Sequence, residues 1–334
     1  MIKRFGLTLK ALLIALLTSW GVLAIYYCAP PKAGFALAAA YGLCGLLALF
    51  GLFMSGQARR ASGLFILVFA CVVVWWETLR PSNDRDWQPE VAVLPYATIN
   101  GNLVTVHNIR NFDYRSQTDF IPAWYDKTFD ISKLESLDFI AVYWMGPAIA
   151  HTFLSFGFKG GSYLAISIET RREKREGYST IKGFFRQYEL YYVVADERDV
   201  IRVRTNYRVP PEDVYIYRIK GPVANGRRLF LEYMQRINAL KEKPEFYNTM
   251  TQNCTTAMWL NSRINPDHMP FSWKVLASGY APEYLYENGR LNTTLPFSEV
   301  REHSRINDRA LASGNAMDFS RRIREGLPTI SNLY

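Results

Sequence analysis

The chain has 334 residues, 49% of them hydrophobic, 15% aromatic and 21% charged, which excludes intrinsic disorder and leaves room for a sizeable core. Its formal charge of +9 raises nucleic acid as a partner. The first 80 residues, however, hold Lys3, Arg4, Lys10, Lys32, Arg59, Arg60 and Arg80 against Glu77, a net of +6 that leaves +3 for the other 254, so the excess belongs to a membrane segment and no nucleic-acid footprint remains.

Three apolar stretches, residues 11–27, 34–54 and 63–76, open the chain and are separated by short polar breaks. A bilayer core needs about 20 mostly apolar residues. The second stretch meets that length outright, the first when residues 5–9 are added, and the third when its flank up to Leu79 is counted. No small-x-small cleavage site follows the first stretch, so the reading is three retained helices rather than a signal peptide. Lys3 and Arg4 precede the first helix, Lys32 stands alone in the first connection, and Arg59 with Arg60 occupies the second. The positive-inside rule then puts the N-terminus and the second connection in the cytoplasm and everything after Arg80 outside. The expected organisation is a membrane anchor over 1–80, a Pro-punctuated linker over 81–96, and an exported domain over 97–330.

Beyond the linker the pattern is mixed α and β, an α+β domain with an antiparallel sheet. Residues 98–112 alternate around Asn100-Gly101, a hairpin signal, and 137–144 read as a strand. Residues 151–158 and 162–169 flank Lys159-Gly160-Gly161, a second hairpin. Residues 189–204 and 213–219 alternate Tyr, Val, Ile and Arg as further strands. Helices are predicted over 223–240 and from near Asn253 past Trp259, and the last 70 residues read as irregular covering segments.

Cys28, Cys44 and Cys71 fall in or at the ends of the membrane helices, so Cys254 is the one cysteine of the exported region. A disulfide framework or a cysteine-based zinc site needs at least a pair. In Thr251-Gln252-Asn253-Cys254-Thr255-Thr256 a capping-type run precedes the apolar pattern Ala257, Met258, Trp259, Leu260. That places the sulfur at a helix N-terminus, where the dipole favours thiolate. His151 opens a strand after Gly146-Pro147 and is the candidate base. His107, His268 and His303 read as strand or surface residues.

Period-two spacing puts Ser167 and Glu169 on one face of the returning strand, with Glu169 the choice to orient the imidazole and Ser167 a candidate binding residue. Arg171 is a further candidate binding residue, although it or Arg172 could instead neutralise Glu169. Asn253 serves either as an oxyanion donor or as the helix cap. Trp75 and Trp76 suit the membrane interface; Trp124 and Trp144 suit either that interface or the core. No cofactor is implied, and no His-x-x-x-His, Cys pair or Asp cluster suggests a metal.

The His151 passage, the run Ser167-Ile168-Glu169-Thr170-Arg171-Arg172-Glu173, and the passage from Phe246-Tyr247-Asn248 to Asn253-Cys254-Thr255-Thr256 resemble the periplasmic domain of the Lnb lipoprotein N-acyltransferases. Ser278-Gly279-Tyr280 and Asp318-Phe319-Ser320 add to the likeness, which spans roughly residues 95–330. The order His then Cys also resembles permuted papain-like folds of the NlpC and lecithin-retinol acyltransferase kind. The resemblance implies Cys254 as nucleophile and His151 as base in a multi-pass protein of the bacterial inner membrane, with its catalytic domain in the periplasm. It implies a diacylated lipoprotein or a phospholipid as acyl donor, a thioester on Cys254, and transfer to the N-terminal cysteine amine to leave a lyso-form lipoprotein. A papain-like peptidase or peptidoglycan amidase would use the same dyad, and a non-catalytic envelope protein would bury Cys254 as an inert thiol.

Overall fold

The computed structural model describes residues 2–54 and 56–328; the last two residues of the expected exported domain, 329 and 330, lie outside them. The chain divides into two compact units, one comprising residues up to Ser82 together with Tyr178–Glu189, the other Asn83–Gly177 and residues from Leu190 onward.

The first unit holds α1 (Ile2–Cys28), α2 (Pro31–Phe53) and α3 (Ala58–Thr78). All three are long and apolar enough to span a membrane, over Phe5–Cys28, Lys32–Phe53 and Ala58–Thr78. Most of their large apolar side chains are exposed, Leu16, Phe35, Phe50 and Leu67 among them, as expected of helices whose solvent is lipid. Where they touch, small residues permit close approach: a Cβ on Gly45 would stand 2.2 Å from the Thr18 hydroxyl, and one on Gly51 2.6 Å from Ala61, the small-residue packing typical of membrane helices. Segment Tyr178–Glu189 is fastened to the helix ends. The Phe185 carbonyl accepts from the Cys28 thiol at 3.0 Å, while the Arg186 guanidinium donates to the Trp76 carbonyl at 2.7 Å and to both Glu77 carboxylate oxygens at 3.0 Å.

The second unit is an α+β domain. Its strands are β1 (Tyr96–Asn100), β2 (Leu103–Arg110), β3 (Asp113–Tyr114), β4 (Phe120–Ile121), β5 (Trp124–Asp130), β6 (Leu134–Tyr143), β7 (Ala150–Phe158), β8 (Ser162–Arg171), β9 (Glu189–Ala195) and β10 (Asp213–Arg218). The main sheet runs β1-β2-β9-β8-β7-β6-β10, with β5 added on β2. Both expected hairpins form at positive-φ glycines, Gly101 in one turn and Gly160 with Gly161 in the other, a conformation that glycine adopts without steric cost. The sheet is not wholly antiparallel, since β2 and β9 meet in parallel at Arg110↔Ala195. Strand β5, unanticipated in the sequence, pairs antiparallel with β2.

Two helices, α5 (Val223–Glu242) and α6 (Cys254–Ser262), cover one face, α5 against β1 and β6 and α6 against β7 and β8. The other face packs Ile140, Val142, Phe153, Tyr191 and Val193 against Ile201, Ile306, Ala310, Phe319 and Ile323. Residues 189–204 depart from the expected strand. After β9, Asp196 caps the short helix α4 (Glu197–Val200) by accepting from the Arg198 N–H, and a π-helical turn, Val203–Tyr207, follows. Glu197 is buried and takes hydrogen bonds from Ser155 at 2.5 Å and from both terminal nitrogens of Arg324, which holds that segment off the sheet. The C-terminal stretch is likewise more regular than expected, with α7 (Trp273–Leu276), α8 (Ala281–Glu287), α9 (Phe297–Ser304), α10 (Asn307–Ser313) and α11 (Phe319–Arg322). The expected linker stretch from Asn83 packs into this unit, with Trp87 and Val91 buried.

Candidate active site

Helix α6 begins where its cap dictates. The Asn253 side chain accepts from the Thr255 and Thr256 N–H groups at 3.0 and 2.8 Å, and the Thr256 hydroxyl accepts from the Asn253 N–H at 2.9 Å, a complete capping box. Ala257 then donates to the Asn253 carbonyl. The Cys254 N–H is therefore the donor of this turn that has no acceptor among the described residues. Asn253 also donates from its amide nitrogen to the Thr249 carbonyl at 2.8 Å. Of its two expected uses, the structure shows the cap.

Cys254 is half-buried and free of any disulfide, with its sulfur 3.7 Å from the Thr255 hydroxyl. The β7–β8 ladder runs from Phe158↔Ser162 to Leu154↔Ile166, and His151, Ser167 and Glu169 lie past its end. The start of β7 is held in place by Ser278, whose hydroxyl accepts from the Ala150 N–H at 3.0 Å and donates to the Ala150 carbonyl at 2.6 Å. Gly279 beside it lies so close that an added Cβ would stand 2.0 Å from the Pro147 carbonyl oxygen.

His151 Nε2 is 2.7 Å from the Ser167 hydroxyl and 3.3 Å from Glu169 Oε1, and Ser167 donates to that same oxygen at 2.9 Å. The Cys254 sulfur lies within hydrogen-bonding and charge-attraction range of the same ring. Glu169 Oε1 further accepts from the Arg204 guanidinium at 3.1 Å. Arg204 is buried in the π-helical turn and its other terminal nitrogen donates to the Val200 carbonyl at 2.6 Å.

Burial opposes charge on His151, Cys254 and Glu169, and their neighbours outweigh it. His151 is destabilised as a cation by burial, yet its hydrogen bonds and charge attraction to Cys254 and Glu169 push its pKa up to about 9. Burial raises the Cys254 thiol, but His151, the Thr152 N–H and the Thr255 hydroxyl bring it down to about 7. Burial likewise raises the Glu169 carboxyl, and His151, Arg204 and Arg110 hold it well below the usual carboxylate range. Both shifts favour the thiolate–imidazolium form of the pair over thiol and neutral imidazole.

The structure brings together Cys254, His151, Ser167 and Glu169. It does not bring Arg171 to them. That guanidinium is buried, stacked 4.2 Å over Trp87, and donates to the Val91 and Ala92 carbonyls and to Asn83, so the expected binding role is replaced by a tie to the segment at 83–92. Arg204 is the residue that sequence reasoning missed. Its signal was the arginines at 202 and 204 within the stretch 189–204, read as a strand alternating Tyr, Val, Ile and Arg. Trp124 packs edge-on against Phe112 at 5.1 Å, whereas Trp144 is 49% exposed.

Residues 120–279 match the family described as the Lnb N-terminal periplasmic domain. That span contains the whole His151, Ser167, Glu169, Arg204 and Cys254 constellation and ends at Gly279. No curated protein and no solved structure matches the chain.

Proposed function

From the match of residues 120–279 to the Lnb N-terminal periplasmic domain family, in a membrane protein with three candidate spans, we propose that the chain is a lipoprotein N-acyltransferase of the bacterial inner membrane with Cys254 as its nucleophile. The observation that carries this reading is the Cys254 thiol at a helix N-terminus beside an imidazole held by Ser167 and Glu169, with Arg204 on the Glu169 carboxylate.

The Cys254 thiolate attacks the ester carbonyl of a diacylglyceryl group on a lipoprotein N-terminal cysteine, or of a phospholipid. The oxyanion that forms is met by the Cys254 N–H, the unspent donor of α6. As the intermediate collapses, the ester C–O bond breaks and the His151 imidazolium gives its proton to the departing alkoxide, leaving a thioester and a lyso-alcohol. The α-amino group of the lipoprotein then attacks the thioester, neutral His151 takes its proton, and the C–S bond breaks to return thiolate and imidazolium. Glu169 is ionised throughout and stabilises the imidazolium; Arg204 keeps it ionised and in place. Residues outside the first unit form the catalytic domain in this reading, and the chain tethers it to the membrane in which the acyl donor resides.

The test is mass spectrometry of lipoprotein N-termini from cells lacking their own N-acyltransferase and supplied with this gene. N-acylated lyso-form termini are expected. Unmodified termini accompanied by cleaved peptide or peptidoglycan would instead mark a hydrolase using the same dyad.

A further inference from the structure

Behind the nucleophile's helix, on the face of β7 opposite His151, lies a cavity of about 170 Å³. Its walls are Phe139 of β6, Leu154 of β7, Leu229 of α5, Met258 and Trp259 of α6, and Val275 of α7. An enclosed apolar cavity of about 150 Å³ excludes water and takes up a hydrocarbon guest; this one is of comparable volume and its wall is mostly apolar, but it opens to solvent. Charged side chains, the paired Asp267 and Arg290 among them at 3.1 Å, also border the space. Thr255 is part of the lining as well. Its hydroxyl is 2.8 Å from that of Thr152 and 3.7 Å from the Cys254 sulfur, so the lining reaches the residue that touches the nucleophile. Beyond the Trp259 wall the surface stays apolar: Phe271 lies edge-on to Trp259 at 5.2 Å, and Phe271, Trp273 and Leu276 are 53%, 59% and 42% exposed.

We propose that this cavity seats the fatty acyl chain that Cys254 carries as a thioester. A peptide occupant would need donors and acceptors for its backbone along the walls, and these walls are chiefly hydrocarbon. A hydrocarbon chain needs none, and gains from every methylene taken out of water. The exposed Phe271, Trp273 and Leu276 extend the same chemistry to the surface. The inference rests on the acyl-transfer reading of Cys254 and specifies where the transferred group lies during the reaction.

The experiment uses the full-length protein in detergent and a series of p-nitrophenyl esters from acetyl to octanoyl. Acylation of Cys254 is read as the p-nitrophenol burst and by intact mass. The quantity compared is the octanoyl-to-acetyl ratio of acylation rate constants, in which a general change in reactivity cancels. In the parent the rate should climb roughly threefold to fourfold per methylene until the cavity is filled. Met258→Trp and Val275→Phe, on separate helices, should each collapse the ratio toward one, and Met258→Ala should shift the preference to longer chains; folding of each is checked by thermal melting. A flat series in the parent, or a steep one that persists in folded Met258→Trp and Val275→Phe proteins, overturns the proposal while leaving Cys254 a nucleophile. Failure of every ester, acetyl included, to acylate Cys254 overturns the acyl-transfer reading and this proposal with it.

Discussion

On one face of β7, His151, Phe153 and Ser155 look into a layer where charge is concentrated: Glu169 with Arg204, Glu197 with Arg324, and Asp138 with Arg218 and Arg324. On the other, Thr152, Leu154, Phe156 and Phe158 meet Thr255, Phe230 and Tyr233, and the contacts are a hydroxyl pair and edge-on aromatic rings. Strand alternation sends the two sets of β7 side chains to opposite faces. Low-dielectric burial strengthens the ion pairs on the first face, while the second keeps the surface a hydrocarbon chain requires. The Cys254 sulfur borders both, through His151 on one side and Thr255 on the other.

Removing the sulfur's nucleophilicity should break the comparison most completely. Cys254→Ser preserves size and the hydroxyl's polarity, but an alcohol has no thiolate form at neutral pH. N-acylation in the complementation assay should fall by roughly 10⁴-fold or more. Parental levels of N-acylated lipoprotein from a folded Cys254→Ser protein would dismiss the covalent mechanism.

His151→Ala should cost nearly as much and be non-additive with Cys254→Ser, since the two residues act as one unit. It also has a direct chemical readout. With His151 present, the alkylation rate of Cys254 should rise through about pH 7, and acyl transfer should follow a bell whose upper limb lies near about 9, where imidazolium is lost. Without it, the influences that lower the thiol pKa are reduced to the Thr152 N–H and Thr255 hydroxyl while burial still raises it. The inflection should then move up, to about 8.5 or above, the range of an ordinary cysteine. Replacing His107, which pairs with Asp126 at 2.6 Å, or His303 should leave the profile unchanged.

Glu169→Gln sharpens the charged side of the comparison. It keeps an acceptor for Ser167 and removes the negative charge that raises the His151 pKa. Activity should drop on the order of 10-fold to 100-fold, less than the full contribution of an acid–base group, and the upper limb of the bell should shift to lower pH. Arg204→Ala should move the same limb, because it removes the arginine that helps to hold Glu169 ionised; a change in rate with an unmoved limb would assign Arg204 to packing alone.

Much of this site was legible because its signals are local. The cap at Asn253, the apolar run after Cys254 and the paired glycines at 160 and 161 each act within a few residues, and the hairpin they imply brings Glu169 back toward His151. Arg204 was not legible. Its stretch alternates like a strand, but the cap at Asp196 and the ion pair of Glu197 with Arg324, 127 positions away, turn the chain into a helix, and no local pattern encodes that partner. Arg171 failed for the converse reason. Its parity with Glu169 is right, but the chain at 83–92 crosses there and occupies the guanidinium. The C-terminal helices, of four to eight residues, are too short to establish a period.

The smallest effect is expected where the two faces adjoin. Thr152 and Thr255 are 0% and 4% exposed, and their hydroxyls satisfy each other at 2.8 Å. Thr255→Val keeps the shape and strands the Thr152 hydroxyl in the interior, which should cost about 1–3 kcal/mol of stability. It also removes one of the minor influences that lower the Cys254 pKa, so alkylation should need slightly higher pH. Thr152→Val should destabilise by a similar amount. The double variant removes both polar groups together, and an isosteric apolar pair is nearly neutral, so its melting temperature should return toward that of the parent. The lining beside the sulfur would then have lost its polar pair, and the octanoyl-to-acetyl ratio should hold or rise. Additive losses in the double variant would mean that the hydroxyls serve partners other than each other.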